Sequence, residues 1–340
     1  MPNSEILFFS IRTSDFIIQK NMTLQQIYNL AVSLGIENDL RGKQVVLNHL
    51  KRVKEKYEKL PKEKKATFDV EKLTNPFSDT RILYESKKKK EIKKILVGID
   101  MEGEELLLAD KLGVNLVIAH HPEGKAYANI HEVMHLQAEV MEMYGVPINV
   151  AESLLKPRIS EVSRGIAPIN HQRAVDMARL LDINFMCSHT ACDNMVANFL
   201  KKEFDKKKKE LVYVEEVMKV LKSIPEYQQA EKMGAGPRLF SGSEENRAGK
   251  VALTEITGGT EGTAKIYEKL AQAGIGTVIG MHMSELHKKE AEKAHINAVI
   301  AGHMSSDSIG VNLFIDQLEK KGIEIIATSG LIRYSRNKKK

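Results

Sequence analysis

Four short apolar runs, each ending at a histidine, constrain the fold of this 340-residue chain more than any other feature of its sequence. The runs are 116–119, 185–188, 278–281 and 299–302, and the histidines that follow them are His120, His121, His189, His282 and His303. Continuous apolar runs that alternate with helical patterns are typical of parallel strands buried on both faces. Because ligands bind at the carboxyl ends of such strands, five of the eleven histidines lie at a predicted functional edge.

Two aspartates follow these histidines at a regular spacing. Asp193 lies four residues after His189, and Asp307 lies four residues after His303. This spacing allows both side chains of a pair to face one point across a strand-to-helix turn. Imidazole and carboxylate are ligands that Zn²⁺, Mn²⁺ and Fe²⁺ prefer. A single histidine at a strand end is most simply a solvated loop residue, but the set as a whole predicts a metal site.

Three motifs follow one another along the chain: His120-His121-Pro122, then His189-Thr190 with Asp193, then Gly302-His303 with Asp307. In this order they resemble the motifs of the Nif-three-like family of dinuclear metal proteins, whose members are often named GTP cyclohydrolase type 2. The resemblance spans roughly residues 94–335. It departs from the family at one position, because the family usually has Glu where this chain has Asp307.

The resemblance implies a cofactor, a set of ligands and a quaternary structure. Two divalent ions, Zn, Mn or Fe, would be held by His120, His121, Asp193, His303 and Asp307. Asp193 would be the bridging carboxylate, and His189 would have the catalytic role of a proton shuttle or would support the ligands by hydrogen bonding. The family also implies a homo-oligomer, a ring of dimers.

Two hypotheses for the function remain open. The first is a two-metal hydrolase, in which the ions activate water against a small-molecule substrate such as a nucleotide. The second is a non-catalytic metal-binding scaffold or regulatory protein. No residue of the sequence indicates recognition of a guanine, so the substrate rests on the resemblance alone.

The predicted fold class is α/β, with mostly parallel or mixed sheets in two pseudo-equivalent halves, helices on the sheet faces and a helical N-terminal extension. The two halves are predicted because strand, helix, strand and histidine succeed one another in residues 95–121 and again in residues 250–282. The predicted domains are an N-terminal extension 1–90, a first half 91–200, a helical and loop insert 201–249 and a second half 250–336. With 42% hydrophobic residues, the chain can bury a substantial core.

Several local features are predicted as well. Residues 24–86 are predicted to form a helical appendage, 147–150 a strand, 151–170 a polar segment and 308–321 a helix. Thr23 and Gln26 form a capping box, and we expect Met22 to be an alternative or true translation start. Residues 1–21 hold no apolar run that approaches the ~20 residues of a membrane span. Cys187 and Cys192, without a secretory segment, predict a reducing cytoplasm.

Three further patterns suggest other functions. His131-Glu132-x-x-His135 fits the H-E-x-x-H motif of zinc metalloproteases on a predicted helix, but a third ligand is missing, so we favour a helix near the site. The Gly-rich turn 257–263 is a candidate phosphate site, although a plain tight turn is the simpler interpretation. The net charge of +6 comes from lysine runs without aromatic residues between them, so no nucleic-acid partner is predicted.

Overall fold

The computed structural model describes residues 22–88 and 91–337. The prediction of a start at Met22 concerns residues 1–21, which lie outside the described residues. The strands are β1 Thr80–Tyr84, β2 Lys94–Gly98, β3 Leu116–Ala119, β4 Asn184–Ser188, β5 Arg238–Ser241, β6 Lys250–Glu255, β7 Ile275–Gly280, β8 Asn297–Ile300 and β9 Glu324–Ala327.

Helices account for most of the remaining described residues. They are α1 Leu24–Glu37, α2 Lys43–Glu58, α3 Lys62–Ala66, α4 Gly103–Lys111, α5 Gly124–Ala128, α6 His135–Met143, α7 Ile148–Ile166, α8 Arg173–Leu181, α9 Thr190–Lys206, α10 Val214–Lys222, α11 Pro225–Lys232, α12 Ile266–Gln272, α13 Glu285–Lys293 and α14 His303–Lys320. Among the helices of the described ranges, none has the length and apolar character needed to cross a membrane.

Two mixed sheets repeat one topology, as the sequence predicts. The first has the order β1-β4-β3-β2-β9, and the second has the order β5-β8-β7-β6. In each sheet three strands run parallel, and the strand that precedes them in the chain pairs antiparallel with the third. The predicted α/β class with two pseudo-equivalent halves is therefore confirmed. β9 departs from the repeat, because it adds in parallel to β2 of the first sheet.

Helices α9 and α14 lie between the two sheets and bring their amino ends together. Both contribute to the core on one face of the first sheet and to the core on one face of the second. The two helices approach each other closely at Gly310 of α14, where a Cβ atom would lie 2.4 Å from the carbonyl oxygen of Cys192. Only glycine allows this approach, which lies next to Asp193 on α9 and three residues after Asp307 on α14.

The N-terminal segment is more closely integrated than a helical appendage. α1 buries Ile27 and Ala31 in the core of the first sheet, and β1 forms the edge of that sheet beside β4. The prediction of helix for residues 80–84 is therefore wrong. The tract is short, and pairing with β4, which is more than a hundred residues away, overrides its local pattern. The predicted domain boundaries themselves stay a prediction.

Three other local predictions are wrong. Residues 147–150 are not a strand, and 151–170 is not merely polar, because α7 begins at Ile148 and runs to Ile166 with Pro157 inside it. The buried side chains of α7 recur at helical spacing, and this spacing is the signal for the helix in the sequence. α14 begins at His303 and not at 308. His303 and Asp307 consequently lie one turn apart on a helix rather than on a loop.

Candidate metal centre

The histidines and aspartates that follow the strands of both halves lie close together in the structure. His120 and His121 follow β3, and His189 follows β4 as the residue that caps α9. Asp193 lies in the first turn of α9. His303 is the first residue of α14, and Asp307 lies one turn further along the helix. The carboxyl ends of the strands therefore hold the site, as expected for an open α/β sheet.

Two groups of ligand atoms share Asp307. In the first group, His120 Nε2 lies 3.4 Å from Asp193 Oδ1 and 3.5 Å from Asp307 Oδ1. In the second, His121 Nε2 and His303 Nε2 lie 3.4 and 3.5 Å from Asp307 Oδ2. Ligand atoms that are each about 2.1 Å from one tetrahedral ion lie about 3.4 Å apart. Each group therefore has the spacing of atoms around an ion, and Asp307 lies between the groups.

The imidazole rings are oriented by hydrogen bonds at Nδ1. Nδ1 of His120 lies 3.1 Å from the carbonyl oxygen of Ser188, and Nδ1 of His121 lies 2.6 Å from Asp100 Oδ1. These partners favour a proton on Nδ1, which leaves Nε2 as the free nitrogen that faces Asp307. Histidines that bind metals in proteins are held in this way.

Buried polar atoms without partners mark the same point. His120 Nε2, Asp193 Oδ1 and both carboxylate oxygens of Asp307 have no hydrogen-bond partner among the described residues. Asp307 is only 1% exposed. Buried polar atoms of this kind are rare in native proteins and point to an ion or ordered water. The donor set of imidazole nitrogens and carboxylate oxygens fits a pair of divalent ions of the Zn, Mn or Fe type.

The electrostatics of the site favour positive charge between the aspartates. Burial lowers the pKa of His120, but the carboxylates of Asp307 and Asp193 outweigh burial and hold it well above its usual value. Burial raises the pKa of Asp307, yet the neighbouring His120 depresses it far below its usual range. Each group stabilises the charged form of the other, so the pocket retains a carboxylate ready to bind a cation.

His189 is supported by residues that the sequence analysis missed. Its Nδ1 lies 2.8 Å from Oδ2 of Asp79, which also accepts a hydrogen bond of 2.6 Å from the hydroxyl of Thr190. The backbone N–H of His189 donates to the hydroxyl of Thr80. Asp79 is fully buried. The available signal was the polar stretch 78–80 before an apolar run, but we had assigned that region to a helix.

His189 Nε2 faces the first group of ligands. It lies 3.8 Å from Asp193 Oδ2. Together with nitrogens of His120 and His121 it also forms a third set of atoms with the spacing of metal ligands. Burial lowers the pKa of His189, but the carboxylates of Asp193 and Asp79 raise it above its usual value. The geometry thus places His189 where it can exchange a proton with the centre.

The H-E-x-x-H motif does not form a second centre. Ile130–Glu132 is a 3-10 turn and α6 begins only at His135, so the motif is not on one helix as predicted. Glu132 forms an ion pair with Lys72 at 2.6 Å. Neither His131 nor His135 belongs to a group of candidate metal ligands in the described part of the chain.

We expect Glu132→Gln to leave both the bound metal and any hydrolytic turnover essentially unchanged, because its carboxylate is engaged by Lys72 away from the centre. Elemental analysis and turnover of the loaded protein measure this. Lys72→Met, which breaks the same ion pair from the other side, is the matched control. If turnover fell by several orders of magnitude in the Glu132 variant alone, the catalytic role would belong to the H-E-x-x-H motif.

His282 and the Gly-rich turn line a small cavity beside the centre. The ring of His282 lies 5.2 Å from that of His303, between centroids, and burial lowers the pKa of His282. The cavity also touches Asp193, Asp307 and Thr257. Gln137 holds the turn by donating to the carbonyl oxygens of Gly258 and Thr260. A role of this turn in phosphate binding stays a prediction.

The chain has the fold of known NIF3 proteins. No protein-family model matches it, and no curated protein does. The solved structure of a NIF3 superfamily protein from Sphaerobacter thermophilus superposes with a TM-score of 0.73 and 24% identity, covering 91% of this chain and 99% of that one. Reduced HcgD from Methanocaldococcus jannaschii gives a TM-score of 0.50 and 18% identity, with coverages of 80% and 96%. The resemblance to the Nif-three-like family is thereby confirmed in the fold.

Proposed function

We infer that this protein is a divalent-metal-dependent hydrolase with a dinuclear centre, which acts on a small phosphorylated molecule such as a nucleotide. One observation carries this proposal. Asp307 offers one unpartnered oxygen to each of two groups of ligand atoms, which also contain His120, Asp193, His121 and His303. Two-metal sites of this composition activate water and stabilise the attacked group when their ions are bound.

The distances favour Asp307, and not Asp193, as the bridging carboxylate. The oxygens of Asp307 lie within 3.5 Å of three different imidazole nitrogens. Asp193 has one oxygen near His120 and directs the other towards His189 at 3.8 Å. This assignment differs from the one that the family resemblance implies. Asp193 then has the role of a terminal ligand that also contacts the proton-carrying histidine.

His189 would hold and move the proton of the reaction. Its Nδ1–H donates to Asp79, which fixes the ring and compensates a positive charge on it. Nε2 remains as the atom that exchanges a proton beside Asp193. General acid–base catalysis by a histidine placed in this way contributes roughly 10²–10⁴-fold to a rate.

A large cavity next to the centre could admit the substrate. It has a volume of about 980 Å³ and begins at His303 and Met304. The segment 328–334 forms one wall, and Met233 and Pro225 lie opposite. Sites for small molecules and cofactors typically measure about 300–1,000 Å³ and are mostly apolar with a few polar groups. Both the volume and its position beside a candidate ligand support a small-molecule substrate.

The decisive experiment measures turnover of the metal-loaded protein. The chain is loaded with Mn²⁺ or Zn²⁺ and assayed against a panel of nucleotides and phosphoesters. We expect hydrolysis of at least one of them, and we expect Asp193→Asn to abolish it while circular dichroism shows an intact fold. Asp176→Asn, which alters an exposed aspartate paired with Arg179, is the control. Metal bound without turnover on any substrate would favour the scaffold hypothesis.

A homo-oligomer also stays a prediction. The Nif-three-like resemblance implies a ring of dimers, and light scattering of the purified protein would measure the mass of the assembly directly. A monomeric mass would remove this part of the resemblance without affecting the assignment of the ligands.

A further inference from the structure

A second set of buried polar side chains lies beside the Gly-rich turn. Glu255 ends β6 and lines the small cavity beside the dinuclear centre, and His287 lies on α13. Gln137 reaches the same place from α6. These three residues are 7%, 4% and 2% exposed. None of them belongs to the dinuclear centre.

Each of these side chains has an atom without a partner. Glu255 Oε1, His287 Nε2 and Gln137 Oε1 have no hydrogen-bond partner among the described residues. Glu255 Oε1 lies 3.7 Å from His287 Nε2, slightly farther than the 3.4–3.5 Å between ligand atoms of the dinuclear centre. A Cβ atom on Gly262 would lie 2.5 Å from Gln137 Oε1 and 3.4 Å from Glu255 Oε1. Glu255 Oε1 is therefore close to His287 Nε2 and shares the space beside Gly262 with Gln137 Oε1.

His287 is oriented as the histidines of the dinuclear centre are. Its Nδ1 lies 2.7 Å from the hydroxyl of Ser284 and 3.4 Å from Glu261 Oε1. The carboxylate of Glu261 favours a proton on Nδ1, which leaves Nε2 as an acceptor directed at Glu255. The same arrangement, with Nδ1 held by oxygen and Nε2 free, is found at His120 and His121.

The volume and the chemistry restrict what can occupy this point. The small cavity that Glu255 and Gln137 line together with residues of the dinuclear centre measures about 20 Å³, so no organic ligand fits beside these two side chains. All three unpartnered atoms are acceptors when Glu255 is ionised. A water molecule donates only two hydrogen bonds, so it would leave one acceptor unsatisfied. A cation can bind all three.

We propose that Glu255, His287 and Gln137 form a third cation site beside the dinuclear centre, suited to a divalent ion such as Mn²⁺ or Zn²⁺. One imidazole nitrogen, one carboxylate oxygen and one amide oxygen make a donor set that such ions accept. Burial and the nearby Glu261 disfavour the ionised form of Glu255 and raise the pKa of its carboxyl to about 8. A cation bound to this carboxylate would favour the ionised form.

Equilibrium dialysis against Mn²⁺ tests the proposal, because it counts weakly held ions as well as tight ones. We expect the wild-type chain to saturate at three ions and Glu255→Gln to saturate at two. Glu268→Gln, which alters an exposed glutamate of α12, should still bind three. Saturation of the wild type at two ions, with the same count in Glu255→Gln, would show that the third point holds water.

A second variant tests the proposal even if Glu255→Gln fails to fold. Gly262→Ala retains all three side chains but places a methyl group among their unpartnered atoms, and the atom it meets is the movable end of Gln137. We expect this variant to bind two ions. Crystals soaked in Mn²⁺ should show an anomalous peak between Glu255 and His287 in the wild type only. A third ion retained in both variants would overturn the proposal.

The third site and the proposed hydrolase can fail separately. Asp307→Ala removes a ligand of the dinuclear centre and leaves Glu255 and His287 untouched, so it should retain the third ion. If the dinuclear assignment is wrong but the third site is real, the wild type binds an ion that Glu255→Gln loses and Asp307→Ala keeps. The metal counts distinguish these results without any assay of turnover.

Discussion

Asp307→Ala is expected to weaken both ions of the dinuclear centre, whereas Asp193→Asn is expected to weaken one. Asp307 contributes an oxygen to each group of ligand atoms, and Asp193 contributes to the group of His120 alone. Loss of a residue that merely orients a ligand costs about 10–100-fold in metal affinity. Loss of the shared ligand should lower the affinity for both ions by more than this factor. Calorimetric titration of the metal-free protein measures the binding of each ion.

The stability of the protein provides a second measurement of the same effect. An ion that binds only the folded state adds about 2.7 kcal/mol to the free energy of unfolding when its concentration is 100 times its dissociation constant. Denaturant unfolding with and without a chelator should show this gain for the wild type. In Asp307→Ala the chelator should lower the free energy of unfolding by less than it does in the wild type, because little metal is bound at the dinuclear centre.

Asp307→Glu is the matched control for this prediction. The family resemblance implies that glutamate is compatible with this position, so the variant should retain both ions and shift their relative affinities. The extra methylene must fit within the buried surroundings of Asp307, which lies one turn into α14 and is 1% exposed. Two unchanged binding steps in Asp307→Ala would remove Asp307 from the centre, together with the match between the third motif and the family.

The strand ends were predictable from sequence because their pattern is local. The runs that become β3, β4 and β8 are buried on both faces, so they are continuously apolar and end abruptly at polar residues. This pattern predicts histidines at the carboxyl ends of strands, and the structure has His120 and His189 at that edge of the first sheet and His303 after β8 of the second. The sharing of Asp307 between two groups was not predictable, because it depends on the start of α14 and on the close approach at Gly310.

What could not be predicted depends on contacts between distant parts of the chain. β1 is a strand because it pairs with β4, and its own residues do not alternate clearly. Asp79 consequently escaped notice, although it is fully buried against His189, 110 positions further on. α7 was missed for a different reason, since Pro157 inside a helix is uncommon and concealed a regular apolar face.

Asp79→Leu is expected to lower hydrolytic turnover by about 10²–10⁴-fold, the usual contribution of general acid–base catalysis. Leucine has the same branched shape, although it is larger, and it accepts no hydrogen bond, so Nδ1–H of His189 loses its partner and the ring is free to turn. An unsatisfied buried group also costs about 1–3 kcal/mol of stability. Initial rates with the substrate identified by the screen, and denaturant unfolding, measure the two effects.

Asp79→Asn separates the charge of this residue from its hydrogen bonds. Both hydrogen bonds go to Oδ2, and Oδ1 is buried without a partner among the described residues. An asparagine can therefore place its amide oxygen at Oδ2 and keep both bonds while losing the negative charge. We expect the turnover of this variant to lie between that of the wild type and that of the leucine variant. Thr190→Val, which removes only the hydroxyl donor, should retain most of the activity.

The metal content of the Asp79 variants decides between two roles for His189. If His189 carries a proton, Asp79→Leu loses turnover while the dinuclear centre retains its ions, because the ligands around Asp307 are unaffected. If His189 is itself a ligand, as its spacing to His120 and His121 would allow, bound metal falls in parallel with turnover. The second result would contradict the catalytic assignment of His189 and would make Asp79 a residue that orients a metal ligand, as Asp100 does for His121.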